Sequence, residues 1–165
     1  MNLRGGRARR AQGVDPTGEC PPACAFGRNA AGAESGAAAA ACDQFLILVD
    51  TSVWVDHLRR GDQHLSVLLE SAAVFIHPFV IGEIACGRLA DRHLVIELLR
   101  DLPVINVAEP DEVLAFIESS HLHGTGIGYV DMHLLAAVAL TDGAKLWTRD
   151  KRLRGAADAL GCAFR

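Results

Sequence analysis

No run of apolar residues in this chain is long enough to span a bilayer, so membrane-spanning helices are excluded. The N-terminus lacks the apolar centre of a secretory signal. An excess of positive charge is also missing: 16 Lys and Arg stand against 20 Asp and Glu, a net charge of -4. That balance argues against a protein that coats DNA. It leaves room for a nuclease with an acidic active site and a basic rim. Cysteine supplies no framework. Cys20, Cys24, Cys42, Cys86 and Cys162 are odd in number and irregularly spaced, which fits a reducing cytoplasm rather than a disulfide scaffold. Cys20 and Cys24, in "CPPAC", have no second pair at zinc-ligand spacing, and two unpaired thiols are the expectation.

Two further patterns are lacking. His57, His64, His77, His93, His121, His123 and His133 show no H-E-x-x-H spacing, so surface or packing roles are expected for all seven. "GTGIG" (Gly124 to Gly128) lacks the Gly-Lys-Ser/Thr of a phosphate loop and reads as a flexible turn. No internal repeat is visible.

What is present is a chain of 165 residues, half of them hydrophobic and 22% charged, enough for one domain with a core. Its composition breaks near residue 45. Residues 1–45 are rich in Gly, Ala, Pro and Arg and poor in large aliphatics. Ordering such a segment costs about 1–2 kcal/mol per residue in backbone entropy alone, with little apolar surface to offset it. A disordered, dispensable leader is expected there, with the working protein starting at or near Leu46 and the leader reflecting an upstream start. The alternative is an RNA-binding tail through Arg4, Arg7, Arg9 and Arg10.

Residues 46–165 alternate short apolar runs with helical spacing. "FLILVD", "AVFIH", "PVINVA" and "AKLWT" read as strands, with "CAF" as a short last one. Between them lie helical patterns over "TSVWVDHLR", "HLSVLLESA", "PFVIGEIACGRLA", "HLVIELLRDL", "PDEVLAFIESSHL", "YVDMHLLAAVAL" and "DKRLRGAADAL". Strands alternating with helices imply an α/β fold, a parallel sheet covered on both faces.

Ligands of such sheets sit outside the carboxyl ends of the strands. Asp50 ends the first strand, and Asp150 follows "KLWT" by two residues. Each has a bland reading as a helix N-cap, which for Asp150 alone is the stronger one. For Asp50 it is weaker, because Thr51 and Ser52 are themselves good caps. Asp131 begins an apolar helix and is expected to be half-buried. Glu83 shares a helical face with Phe79, Cys86 and Ala90, and its bland reading is a buried ion pair with Arg88 or Arg149. If all four converge, repulsion is severe: two charges ~4 Å apart cost roughly 4 kcal/mol at an effective dielectric of 20. Either some protonate or a cation joins them. Carboxylate oxygens without converging His or Cys favour a hard ion, Mg2+ or Mn2+. The chemistry implied is metal-assisted attack of water on a phosphodiester. A receiver-type phosphate switch also clusters acids at strand ends. It wants an Asp at the end of a middle strand, where "VINVAEP" offers Glu109.

"ILVDTSVWVDHLR", the "EIACG" of Glu83 to Gly87, "GIGYVDMHLLAAVA" and "LWTRDKRL" occur in the order found in PIN domains. The chain resembles in particular the VapC ribonuclease toxins of bacterial toxin–antitoxin pairs, over about Leu46 to Arg165. The resemblance implies a three-layer α/β/α fold around a central parallel sheet. It also implies Mg2+- or Mn2+-dependent RNA cleavage, a homodimer and inhibition by a cognate antitoxin, in the cytoplasm and without a membrane. Carried over by position, Asp50, Glu83, Asp131 and Asp150 form the acidic quartet. Asp50 and Asp131 match direct metal ligands, and Glu83 and Asp150 complete the site directly or through water. Ser52 and Thr148 match small hydroxyl positions beside the acids. The leader departs from the family pattern. A PIN scaffold or receiver-like module that only binds is the competing class, separated from a nuclease by metal-dependent cleavage lost in Asp50→Asn.

Overall fold

The computed structural model describes residues 46–165. The expectations for the leader, for Cys20, Cys24 and Cys42, and for its arginines lie outside the described residues. Strand β1 (Leu46–Val49) is the centre of the sheet, with β2 (Val74–Phe75) on one side and β3 (Ala144–Trp147) on the other. Both pairings are parallel, Ile47 opposite Val74 and Lys145, Leu48 opposite Phe75 and Leu146. Consecutive Ile47, Leu48 and Val49 are all buried. Successive strand residues point to opposite faces, so helices cover both faces of β1. Fully burying each such aliphatic contributes about 1.5–3 kcal/mol.

Parallel neighbours need crossovers, and helices supply them. The first crossover carries α1 (Thr51–Arg60) and α2 (Gln63–Glu70). After β2 come α3 (Pro78–Cys86), α4 (Arg92–Arg100), α5 (Pro110–Ser119) and α6 (Tyr129–Ala139), and α7 (Lys151–Ala159) follows β3. Helix α6 runs through the core, with Met132 to Val138 buried without interruption. Among the described residues, no helix is long and apolar enough to cross a membrane.

The sheet is narrower than the apolar runs suggest. "PVINVA" makes one parallel bridge, Ile76 with Val104, and "CAF" one, Leu146 with Ala163. Pro103 offers no N–H to a ladder. Val104 and Val107 are exposed beside buried Ile105, so this segment is a partly covered edge. Helix α3 also stops early. Gly87 takes an extended conformation (φ -78°, ψ 170°), so the helix ends at Cys86 and does not reach Ala90. Helix α5 ends at Ser119, and His121 turns into the left-handed region at φ 53°.

Candidate active site

The end of β1 and the end of β3 meet at Asp50. The Asp50 N–H continues the ladder by donating to the Trp147 carbonyl at 2.9 Å. Its carboxylate is buried and caps α1, accepting from the Ser52 N–H at 3.3 Å. The cap therefore falls to Asp50, correcting the expectation that Thr51 and Ser52 leave it surplus. Both hydroxyls do something else. Ser52 Oγ donates to Asp50 Oδ2 at 2.5 Å and accepts the Arg149 N–H at 3.0 Å. Thr51 Oγ1 donates to Glu83 Oε2 at 2.5 Å, tying α1 to α3. From β3, buried Thr148 Oγ1 donates to Asp50 Oδ2 at 2.8 Å and accepts the Asp150 N–H at 3.0 Å.

Asp150 caps α7, with Oδ1 accepting from Arg152 N at 2.8 Å and Leu153 N at 2.9 Å. That matches its bland reading and holds the residue at the carboxyl edge beside Asp50. Asp131, in the first turn of α6, is half-buried as expected. Its carboxyl is pushed up to about 6. Burial is the largest cause; the charge of Asp50 comes next, and those of Glu83 and Asp150 add to it, while the Gly128 backbone pulls the other way. Three acids from three separate stretches thus act electrostatically on Asp131.

Glu83 is exposed, not buried as its apolar helix face suggests. Its partner is the Thr51 hydroxyl, and neither Arg88 nor Arg149 pairs with it. Arg149 turns the other way, onto Asp56 of α1 and onto Asp62, the cap of α2. Arg60, and after it Arg149, hold the Asp56 carboxyl below its ordinary range. Arg152 reaches the Gly126 carbonyl at 3.2 Å, pinning the turn ahead of α6. None of the four acids forms an ion pair among the described residues.

An uncompensated cluster of carboxylates has the donor chemistry of a hard divalent cation. The side chains are not drawn into a finished cage: no three His, Cys, Asp or Glu among the described residues are gathered at ligating distance. Mutual repulsion favours separation, and hydroxyls or caps hold Asp50, Glu83 and Asp150 individually. The donors fit such an ion by type: four carboxylates, none of them in an ion pair among the described residues.

Sequence reasoning missed three features. Thr51 reads as a cap, and only the fold shows it serving Glu83. The Arg149–Asp56–Asp62 linkage joins residues far apart in sequence, with no local pattern. The third is a pair of exposed aromatic rings, Phe79 and Tyr129, packed on one buried histidine, His133.

A parallel α/β sheet carrying acids at its carboxyl edge is the arrangement of a PIN domain, and the PIN-domain family model matches residues 47–159. The chain belongs to that family. It is 48% identical over 119 residues to Ribonuclease VapC32 of two Mycobacterium tuberculosis strains, CDC 1551 / Oshkosh and H37Rv. The alignment covers 72% of this chain and 96% of each relative.

Proposed function

We propose that this chain is a metal-dependent endoribonuclease of the toxin–antitoxin type. The observation that carries the reading is Asp131, whose carboxyl is raised by burial and by three neighbouring acids that no cation among the described residues pairs with. A structural ion-pair network would have filled that position with Arg149. The similarity to proteins named Ribonuclease VapC32 supports RNA as the substrate class.

In this reading Asp50 and Asp131 hold Mg2+ or Mn2+, with Glu83 and Asp150 completing the set directly or through water. When bound, the ion supplies positive charge for the phosphodiester and lowers the pKa of water for attack. The chain's own residues do the positioning. Ser52 and Thr148 fix one oxygen of Asp50, leaving Oδ1 without a hydrogen bond among the described residues. Thr51 does the same for Glu83. Asp150 Oδ1 caps α7, and Oδ2 has no hydrogen bond among the described residues.

The partners belong to the same reading: an antitoxin that places a basic side chain in the acid cluster, a second copy of the chain, and a cytoplasmic setting. Leu94 and Leu98, one turn apart on α4, are 56% and 58% exposed, which supports a protein partner. The receiver-like alternative loses its acid, because Glu109 stands at the N-terminal end of α5, its N–H donated to the Glu112 carboxylate at 2.8 Å. The test is sequencing of RNA ends after expression without an antitoxin. New ends at defined sites, absent with Asp50→Asn, are expected; identical ends in both would sink the proposal.

A further inference from the structure

We propose that Phe79 and Tyr129 form a platform on which one base of a single-stranded RNA stacks beside the acid cluster. The inference rests on the ribonuclease reading and adds how that site takes hold of its substrate. Among the described residues, Phe79 and Tyr129 are the two exposed Phe, Tyr or Trp side chains, 39% and 49% accessible. They come from different helices and converge. Each packs edge-to-face on His133, with ring centroids 4.6 Å apart in both cases and interplanar angles of 72° and 84°. His133 is buried and leaves both ring nitrogens without a hydrogen bond. His77, fully buried, braces Phe79 from a second side at 5.0 Å.

The location connects the pair to the chemistry. Phe79 lies one turn ahead of Glu83 on α3, and Tyr129 opens α6 two residues before Asp131. A cation held by the acids attracts phosphate and not a base, and Arg149 is committed to Asp56 and Asp62. Holding a base beside the phosphate calls for an uncharged surface. Aromatic rings supply it, because every base has a π-face and stacking tolerates sequence. Only an unpaired base presents that face, which selects single strands over duplex. Rings already seated on His133 lose little freedom when a base arrives.

The test is steady-state cleavage of a short single-stranded oligoribonucleotide spanning a mapped cleavage site, with the full chain in Mg2+. Tyr129→Ala should raise KM roughly 5- to 150-fold, with kcat little changed. Tyr129→Trp should restore KM, which a merely structural role would not predict. Phe79→Ala should act in the same direction. An abasic residue in the RNA next to the cleavage site provides an arm that leaves the protein fold untouched. On that RNA, wild type and Tyr129→Ala should have the same KM. Unchanged KM for Tyr129→Ala on intact RNA, alongside active wild type, overturns the platform alone. The same holds if Tyr129→Ala loses antitoxin binding while keeping its KM, since the pair is then a protein-docking surface. Wild type that cuts no RNA in Mg2+ overturns the ribonuclease reading itself.

Discussion

Thr148 donates its hydroxyl to Asp50 Oδ2 at 2.8 Å, closing a gap of 98 residues in sequence inside a buried pocket. This bond joins the carboxyl ends of the two neighbouring strands β1 and β3. It also holds the carboxylate in one orientation, since Ser52 grips the same oxygen. A valine at 148 keeps the shape and loses the donor. Hydrogen bonds to charged groups contribute about 1.5–3 kcal/mol, so Thr148→Val should destabilise by that order in urea melts. RNA cleavage should drop, and Thr148→Ser should recover most of both. A variant as stable and active as wild type would show that Ser52 alone positions Asp50.

Asp131→Asn should abolish cleavage while leaving the metal-free fold at least as stable as wild type above pH 6. The wild-type carboxyl is raised to about 6 by burial and by the acids around it, so its ionised form strains the native state. Removing the charge relieves that strain, by about 1–2 kcal/mol once solvent screening is allowed for. Thermal melts in EDTA at pH 7.5 measure it. A clearly lower melting temperature for the variant would make Asp131 a structural partner instead.

The pH dependence has two opposing parts. For Asp131, the folded protein holds a proton that the unfolded chain has lost between about pH 4 and 6, so stability falls as pH rises through that window. Burial, helped by the charge of His133, lowers His77 to about 4. Between about 4 and 6.5 the unfolded chain therefore binds the extra proton, and stability rises with pH. Burial lowers His133 as well, with the same sign. In EDTA, wild type should show a shallow profile from pH 4.5 to 6.5. Asp131→Asn, keeping only the histidine part, should gain stability steadily over the same range. Parallel profiles for the two proteins would contradict the assignment.

Arg149 links the strand-end loop to α1 and to the start of α2 through Asp56 and Asp62. Its side chain is 38% exposed, so the pairs themselves contribute little. The geometric effect is the larger one, because the Arg149 N–H lies on the Ser52 hydroxyl that grips Asp50. Arg149→Met should leave the melting temperature within a few degrees of wild type and lower cleavage modestly. Loss of folding would mean the linkage is a principal support of the domain.

Much of this fold is legible from apolar spacing. "LILV" and "AKLW" are strands, and seven helices fall where the 3.6-residue pattern puts them. "PVINVA" and "CAF" have strand-like composition but make single bridges, because pairing depends on a partner's backbone, which composition does not carry. In the site, Asp50 and Asp150 stand at the expected edge and Asp131 is half-buried as expected, because strand ends and helix starts are local features. Glu83 is harder to read: its helix face is apolar, yet the acid is exposed and held by the Thr51 hydroxyl from α1, a contact that no local pattern announces. Arg149, a partner for Glu83 only in the bland reading, pairs with Asp56 and Asp62 instead, because sequence distance says nothing about which carboxylates the α1–α2 junction brings near it. The Phe79–His133–Tyr129 contact depends on where α3 and α6 begin relative to one another, which is decided by packing alone.

The central claim is that Asp50 and its three neighbours form a cation site for RNA cleavage. The most direct measurement is the initial rate of single-stranded RNA cleavage by the purified chain across a Mg2+ titration, for wild type and Asp50→Asn. Wild type should be silent in EDTA and rise to saturation with Mg2+, while Asp50→Asn stays near background even at high Mg2+, with unchanged circular dichroism. Cleavage by wild type in EDTA, or by Asp50→Asn at the wild-type rate, would contradict the account.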